Sequence, residues 1–273
     1  MAGIYIHIPF CKSFCTYCDF YSICDHRGIG QWLDSLFHEM EQRRHFFTAC
    51  GNAVPSTLYI GGGTPSLLAS SQIGDIARRA EAIFREGQRF DEFTIEVNPD
   101  DVSPEKAAGW KVAGVSRVSM GCQSFDDGAL KWMNRRHSGD DAGEAFGILR
   151  EVGFRNISLD LIFGYLIPGE TSAKGMARWR RDLETVTAFR PEHISSYQMS
   201  IEPGSILGQM SVKGKYREPA DSYCAGQYEM LQKILTERGY EQYEISNFAL
   251  KTEADVSPFR SKHNSSYWIR EPY

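Results

Sequence analysis

Six strand-like runs alternate with longer helical runs along most of the sequence. In the longer runs apolar side chains recur at helical spacing, as at Leu33, Leu36, Phe37 and Met40. Repeated strand–helix units fold into a parallel sheet with helices packed outside it. A closed TIM barrel takes more units than this, so the pattern predicts an α/β fold, an incomplete (β/α)6 TIM-like barrel. The predicted strands are Gly3–Ile8, Thr57–Ile60, Phe93–Val97, Arg117–Met120, Asn156–Ile162 and His193–Met199.

The alternation of strand and helix changes after Ile201. Before that residue the predicted helices are Trp32–Phe47, Leu68–Phe84, Ser103–Val112, Asp126–Met133, Asp141–Val152 and Thr171–Ala188. After it, a helix near Ala220–Arg238 and an extended run over Tyr240–Phe248 lead to a polar end. We therefore predict a partial barrel over residues 1–204 and a C-terminal accessory region over residues 205–273.

Composition excludes several classes of protein. Hydrophobic residues make up 42% of the chain and charged residues 24%, as in ordinary globular proteins. The net charge of -5 gives no broad attraction to nucleic acid, so no nucleic-acid partner is expected. No apolar run approaches the ~20 residues of a membrane span. Because the first strand begins at Gly3, we expect no targeting peptide and a cytoplasmic location.

Polar residues stand where four of the predicted strands end, and a glycine triplet follows a fifth. Such residues are unusual in parallel strands, which are normally apolar on both faces. The carboxyl ends of barrel strands converge on one mouth, where binding sites are built. The sequence therefore predicts a shared site formed by Glu96, Gln123, Asp160, Gln198 and the glycines after Ile60.

Three of the seven cysteines fall in the loop after the first strand, as Cys11, Cys15 and Cys18. This crowding is typical of a metal site in a reducing compartment and not of a disulfide framework. The C-x3-C-x2-C spacing suits three corners of an iron–sulfur cubane, which leaves the fourth iron without a protein ligand. The spacing alone also allows a zinc site of three cysteines and a histidine, with His7 as the nearest candidate.

The chain resembles the radical S-adenosylmethionine (SAM) superfamily, and within it the HemN-like group and its heme-chaperone branch, HemW. The resemblance covers essentially the whole chain. It rests on these motifs: Tyr5-Ile-His-Ile-Pro-Phe-Cys11, the cysteine triplet, Gly61-Gly-Gly-Thr-Pro65, Glu96-Val-Asn-Pro99, Ser119-Met-Gly-Cys-Gln-Ser-Phe125 and Asp160-Leu-Ile-Phe-Gly164.

The resemblance implies a [4Fe-4S] cluster on the three cysteines and S-adenosyl-L-methionine at the open iron. The glycine triplet would let the backbone approach the cofactor where a side chain would block it. Arg135 adjoins Arg136, and a solvated helix end is the alternative interpretation of that pair. The implied cofactor contacts are Tyr5, Tyr17, Gly61, Gly62, Gly63, Thr64, Glu96, Gln123, Arg135 and Asp160.

Two functions within the HemN-like group are open to this chain. One is a heme chaperone that binds heme and delivers it to acceptor proteins, with respiratory proteins as one candidate class. The other is the oxygen-independent coproporphyrinogen III dehydrogenase of porphyrin biosynthesis, which uses a 5'-deoxyadenosyl radical. Phe20 stands where the dehydrogenases carry a further cysteine, and their longer N-terminal segment is missing before Gly3. These features favour the chaperone.

The segment His263-Asn-Ser-Ser-Tyr-Trp268 matches the HNxxYW motif of the heme-chaperone branch. The resemblance implies that His263 binds heme, and imidazole is a common axial ligand of heme iron. Members of this branch continue beyond the position of Tyr273, so we expect the C-terminal part of the family's architecture to be truncated. A binding module that holds an iron–sulfur cluster or zinc and catalyses no reaction is the remaining alternative. Whether SAM is cleaved stays open.

Overall fold

The computed structural model describes residues 2–51 and 53–272, so the outer bounds of the two predicted regions, residues 1 and 273, lie outside it. All eight strands of these residues form one sheet in the order β1-β2-β3-β4-β5-β6-β8-β7. The strands are β1 Ala2–Ile8, β2 Pro55–Gly62, β3 Glu92–Val97, β4 Arg117–Gln123, β5 Ile157–Phe163, β6 His193–Gln198, β7 Tyr240–Gln242 and β8 Asn247–Leu250.

The first six strands pair in parallel with their neighbours in chain order. Strand β8 then pairs antiparallel with β6, and β7 pairs antiparallel with β8. Within the described residues β1 pairs only with β2, so the sheet does not close on itself. The prediction of an incomplete α/β barrel is confirmed.

Ten α-helices connect or follow the strands in the described residues. They are α1 Ile29–Gln42, α2 Phe46–Ala49, α3 Ser70–Phe84, α4 Pro104–Val112, α5 Asp127–Trp132, α6 Gly139–Glu151, α7 Ser172–Phe189, α8 Ile206–Val212, α9 Asp221–Glu237 and α10 Lys262–Trp268. Three single-turn 3-10 segments lie at His26–Gly28, Pro65–Leu67 and Pro99–Asp101. No helix among residues 2–51 and 53–272 combines the length and the apolarity that crossing a bilayer requires.

Side chains alternate between an apolar and a polar face along the parallel strands. The apolar set, such as Leu58, Ile95 and Leu159, packs with helix residues in one continuous core. Burying that set under the helices is the main contribution to stability. The opposite face carries polar side chains toward the barrel interior: Tyr5, His7, Tyr59, Thr94, Glu96, Arg117, Ser119, Ser158, Asp160, His193 and Ser195. The barrel interior is therefore polar.

Most predicted elements differ from the observed ones by a few residues at their ends, and the predicted extended run Tyr240–Phe248 is divided into β7 and β8. The predicted helix Trp32–Phe47 is interrupted at Arg43–His45, so that α1 and α2 are separate. The predicted helix Leu68–Phe84 begins only at Ser70, after a 3-10 turn that starts at Pro65. Ser103 caps α4 as predicted, since its side chain accepts the backbone N–H of Lys106.

The C-terminal region extends the barrel sheet instead of forming a sheet of its own. Strands β7 and β8 continue the sheet beyond β6, and α9 packs beside α7. The last helix, α10, contacts β1 and β2. The division into residues 1–204 and 205–273 stays a prediction. Helices α8 and α10 were not predicted.

Candidate functional site

The loop that carries the three cysteines is fixed at its ends and in its middle. The Cys11 N–H donates to the carbonyl of Ile23 at 2.9 Å, and the Ile23 N–H donates to the carbonyl of Pro9 at 2.8 Å. In the middle, the Thr16 N–H donates to the carbonyl of Met133 at 3.1 Å, just after α5. The loop is therefore held in shape by backbone hydrogen bonds on both sides.

Two of the three thiols have polar neighbours from other loops. The Thr64 hydroxyl lies 3.5 Å from Cys11 Sγ, and Arg135 Nη1 lies 3.5 Å from Cys15 Sγ. Burial raises the pKa of the Cys18 thiol, so a bound cation has to replace its proton. The guanidinium of Arg135 favours the thiolate form that iron requires.

The zinc alternative lacks its predicted histidine ligand in this geometry. Among the described residues, no three His, Cys, Asp or Glu side chains converge as ligands of one metal ion do. His7 has no free ring nitrogen, because Nδ1 lies 3.1 Å from the Tyr5 hydroxyl and Nε2 lies 2.8 Å from the Tyr21 carbonyl oxygen.

The glycine triplet brings backbone against the cysteine loop. Gly62 has a φ of +105°, which residues with a side chain rarely adopt. A Cβ atom on Gly63 would lie 2.8 Å from the Ile8 oxygen and 3.0 Å from Cys11 Sγ. Glycine is therefore required at both positions if the loop is to keep its place.

A cavity of about 950 Å³ opens at the carboxyl ends of the strands. This volume is at the upper end of the range for small-molecule sites. Exposed apolar side chains of Phe14, Phe20 and Ile206 form its rim, and Ser119 and Asp160 lie in its lining. The cysteine loop, Gly62, Gly63 and the polar strand ends therefore line one cavity.

Glu96 is held by hydrogen bonds on both carboxylate oxygens. Oε1 accepts from the Tyr59 hydroxyl at 2.7 Å, and Oε2 accepts from the Gly62 N–H at 3.1 Å. Burial raises the pKa of Glu96 to about 7, and the nearby Asp160 adds to the rise. Glu96 is thus poised to change charge near neutral pH.

Asp160 and Gln123 reach the cavity from neighbouring strands. Asp160 accepts from the hydroxyls of Ser119, at 2.9 Å, and Ser158, at 3.1 Å, while burial raises the pKa of its carboxyl. Gln123 has a φ of +69° at an irregularity in the pairing of β4 with β5. Such strain in a residue with a side chain is concentrated at functional sites. Here it accompanies a side chain that lines the cavity.

Arg135 is anchored inside the cavity and does not lie along a solvated helix end. Its Nη2 donates to Asn98 Oδ1 at 2.7 Å and to the Gly121 carbonyl at 2.6 Å. The adjacent Arg136 pairs instead with Asp100. Two consecutive arginines therefore have different roles, and only the first lies against a cysteine sulfur.

Comparison with known proteins decides the family. The model of the radical SAM superfamily matches residues 5–177. The chain belongs to this superfamily. It is 35% identical to the heme chaperone HemW of Bacillus subtilis over 274 residues, which cover 100% of this chain and 68% of that protein. It is 32% identical to the heme chaperone HemW of Escherichia coli over 271 residues, which cover 97% and 66%.

Two solved structures share the fold. Coproporphyrinogen III oxidase (HemN) from Escherichia coli matches with a TM-score of 0.75 at 26% identity, over 92% of this chain and 56% of that one. An archaeal Elp3 from Methanocaldococcus infernus matches at 20% identity with a TM-score of 0.56, over 72% and 49%, which concerns the fold alone. The predicted resemblance to the HemN-like group and HemW is confirmed. The chain spans about two thirds of the length of these HemW relatives.

Most of the residues expected to contact the radical SAM cofactors lie around the cavity. With the three cysteines, the lining includes Tyr17, Gly62, Gly63, Thr64, Glu96, Gln123, Arg135, Asp160 and Gln198. Tyr5, Gly61 and His263 are not part of that lining. The Tyr5 hydroxyl bonds His7, and Gly61 lies beneath the cavity, where a Cβ atom would meet Glu96 Oε1 at 3.0 Å.

His263 lies at the amino-terminal end of the strands, opposite the cysteine loop. It is only 1% exposed. Its Nδ1 lies 2.8 Å from the Thr57 hydroxyl, its Nε2 lies 2.7 Å from the Tyr267 hydroxyl, and its ring stacks on Tyr59. Burial, helped by the nearby Arg117, lowers the pKa of His263 to about 4. The ring is neutral but has no nitrogen available to a heme iron, so this arrangement does not fit axial ligation.

Sequence reasoning missed Tyr59, Asn98, Ser119 and Tyr197 as site residues, although all four line the cavity. Asn98 and Ser119 stand inside motifs that pointed to the family. Tyr59 gives a weaker signal, a phenolic hydroxyl between the apolar Leu58 and Ile60. None of these positions identifies its partner until the strands are paired.

Proposed function

We propose that this chain holds a [4Fe-4S] cluster on Cys11, Cys15 and Cys18, binds SAM in the adjoining cavity, and acts as a heme chaperone that delivers heme to acceptor proteins. The observation that carries the first two parts is the single cavity shared by the cysteine loop and the polar strand ends. The heme part rests on the name of the HemW relatives.

The side chains of the cavity suit both the [4Fe-4S] cluster and SAM. Cys11, Cys15 and Cys18 would hold three irons of the cluster, and the fourth iron would then be open to the amine and the carboxylate of SAM. Gly63 and its neighbours leave the backbone free to approach this zwitterion beside Cys11. The guanidinium of Arg135 supplies positive charge for a carboxylate, while Glu96 and Asp160 supply acceptors for ammonium and hydroxyl groups.

Handling of heme involves the HNxxYW segment in this proposal. His263 heads the motif, and its neutral ring is the protonation state that ligates iron. Heme-acceptor proteins are the partners, with respiratory proteins as one class. A cytoplasmic location suits the seven unpaired cysteines of the chain, because reducing compartments keep thiols free.

The dehydrogenase is the second candidate, because the HemN structure is described as a coproporphyrinogen III oxidase and a radical SAM enzyme. Phe20 argues against it here. Its side chain is 69% exposed at the rim of the cavity, in the position where the dehydrogenases carry a cysteine. An exposed phenyl ring can contact a flat apolar macrocycle, but it cannot take part in thiol chemistry.

Two assays on anaerobically reconstituted protein test the proposal. Heme titration should give a saturable Soret band, and the loaded protein should pass heme to an apoprotein acceptor such as apomyoglobin. Incubation with reductant, SAM and coproporphyrinogen III should yield no protoporphyrinogen IX. Steady product formation over many turnovers would overturn the chaperone assignment. An unchanged Soret position and heme affinity in His263→Ala would exclude His263 as the ligand.

A further inference from the structure

One buried carboxylate fixes the start of α10. Glu92 Oε1 accepts the backbone N–H of His263 and Oε2 accepts that of Lys262, both at 3.0 Å, and the Ser261 hydroxyl lies 3.4 Å from Oε1. A negative charge at a helix amino terminus satisfies unpaired N–H groups and the helix dipole. Because Glu92 opens β3, α10 is tied to the amino-terminal end of the sheet, which we call the floor of the barrel.

The His263 side chain adds a second set of polar contacts to the floor. It bonds Thr57 of β2 and Tyr267 of its own helix, and it stacks on Tyr59 with ring centroids 5.0 Å apart. Packing against β1 is also close, since a Cβ atom on Gly3 would lie 2.9 Å from His263 Nδ1. Each of these contacts depends on α10 staying in place.

Hydrophobic burial contributes little to holding α10. Its buried residues are His263 and Ser266. Trp268 is 58% exposed, and Ile269 just after the helix is 65% exposed. Elements with few buried apolar contacts open locally at low cost, without unfolding the rest of the protein. Releasing α10 therefore breaks hydrogen bonds that water can replace and leaves the apolar core under the outer helices intact.

We propose that α10 is a latch on the floor of the barrel. When closed, the latch seals the side chain of His263, and only when released does it offer the imidazole to a metal ion such as the heme iron. A latch reconciles the sealed ring of His263 with a role of this residue in heme binding. The part of this inference that concerns heme rests on the proposed function. Glu92 is the main closing contact. The latch itself needs no heme, so it can be tested separately.

Histidine acylation by diethyl pyrocarbonate, read by peptide mass spectrometry on the reconstituted chain, measures release of the latch. His38 is exposed and reports full reactivity. His137 is only 3% exposed, with Nε2 3.0 Å from the carbonyl oxygen of Cys122 near the carboxyl end of β4, and it lies away from α10. It therefore reports global opening. We expect His263 to react more slowly than His38 and faster than His137.

Glu92→Gln removes the negative charge that closes the latch and keeps the shape of the side chain. We expect the acylation of His263 to become about tenfold faster, with His137 unchanged, because charged hydrogen bonds are the strong ones. Glu237→Gln, at an exposed glutamate that ends α9, is the matched control and should change nothing. If Glu92→Gln does not fold, Thr57→Val tests the same step by removing the bond to Nδ1.

Two outcomes would overturn the latch. In one, His263 and His137 react at the same rate in every variant, which means that only global unfolding exposes His263. In the other, Glu92→Gln and Thr57→Val both leave the reactivity of His263 unchanged.

Heme association separates the latch from the proposed function. If acylation of His263 accelerates and the rate of heme binding rises with it, both stand. If acylation alone accelerates, the latch stands and heme ligation by His263 fails.

Discussion

Polar side chains line both ends of the barrel interior. The two ends differ in how far these side chains are hydrogen-bonded within the protein. At the carboxyl ends of the strands, thiols, the Gln123 amide and the Arg135 guanidinium face a cavity of about 950 Å³. At the amino-terminal ends, both nitrogens of His263 and both oxygens of Glu92 are bonded within the protein. One end is arranged to receive a ligand, and the other is arranged as a closed plug.

Arg117 lies between these two ends and influences both. Its three side-chain nitrogens are buried and have no protein acceptor within hydrogen-bonding distance among the described residues. Its charge works to lower the pKa of Glu96 and Asp160 on the cavity side, and it lowers the pKa of His263 on the floor side. A single buried cation therefore favours ionised carboxylates at the open end and a neutral histidine at the closed end.

The largest expected effect is at the open end. Cys18→Ser should abolish cluster assembly, because an alcohol is a poor ligand for iron at neutral pH and the described chain offers no replacement thiol in the cavity beyond Cys11 and Cys15. Iron and sulfide analysis after anaerobic reconstitution measures it. Cys50→Ser, at an exposed cysteine far along the chain from the loop, is the control and should assemble normally. Full iron content in Cys18→Ser would show that the loop is not the cluster site.

Gly63→Ala should be nearly as damaging to the open end. Its Cβ atom would lie 2.7 Å from the Phe10 oxygen and 3.0 Å from Cys11 Sγ, so the loop has to move. We expect cluster retention to fall at least about tenfold, which corresponds to ~1.4 kcal/mol. Gly147→Ala, where a Cβ atom meets nothing within 4 Å in α6, is the control and should be neutral or slightly stabilising. Equal retention by the two variants would contradict the close approach.

A change at the closed end should affect stability and leave the cluster intact. His263→Ala leaves the buried Thr57 hydroxyl without its partner and opens a void beside Tyr59. The free energy of unfolding should fall by about 1–3 kcal/mol. Denaturant unfolding and iron analysis on the same sample measure both quantities. Loss of the cluster in this variant would mean that the two ends are not independent.

The smallest expected effect is a pH dependence at the open end. Glu96, whose pKa burial raises to about 7, is protonated below that pH and loses its charge. If the ionised form accepts from SAM, affinity falls as pH falls below about 7, by at most about tenfold per unit. Calorimetric titration of the reconstituted protein between pH 6 and 8 measures it. Glu96→Gln should bind more weakly and show a flat profile, and an identical slope in that variant would assign the dependence to another group.

Sequence reasoning predicted the open end better than the closed end, for physical reasons. The strands and the cysteine loop carry local signals, namely apolar periodicity and close cysteine spacing, that need no partner to be interpreted. Helix α10 carries none, because only His263 and Ser266 are buried in it. Its capping carboxylate, Glu92, lies about 170 residues earlier in the chain. Contacts of that kind appear only once β3 and α10 are placed side by side.

The most direct measurement of the central claim is the EPR spectrum of the reduced, anaerobically reconstituted protein with and without SAM. The account predicts one [4Fe-4S] cluster per chain on Cys11, Cys15 and Cys18, with a signal that shifts when SAM binds the open iron. Tightly bound zinc with no uptake of iron would contradict it, and so would a cluster whose spectrum SAM leaves unchanged.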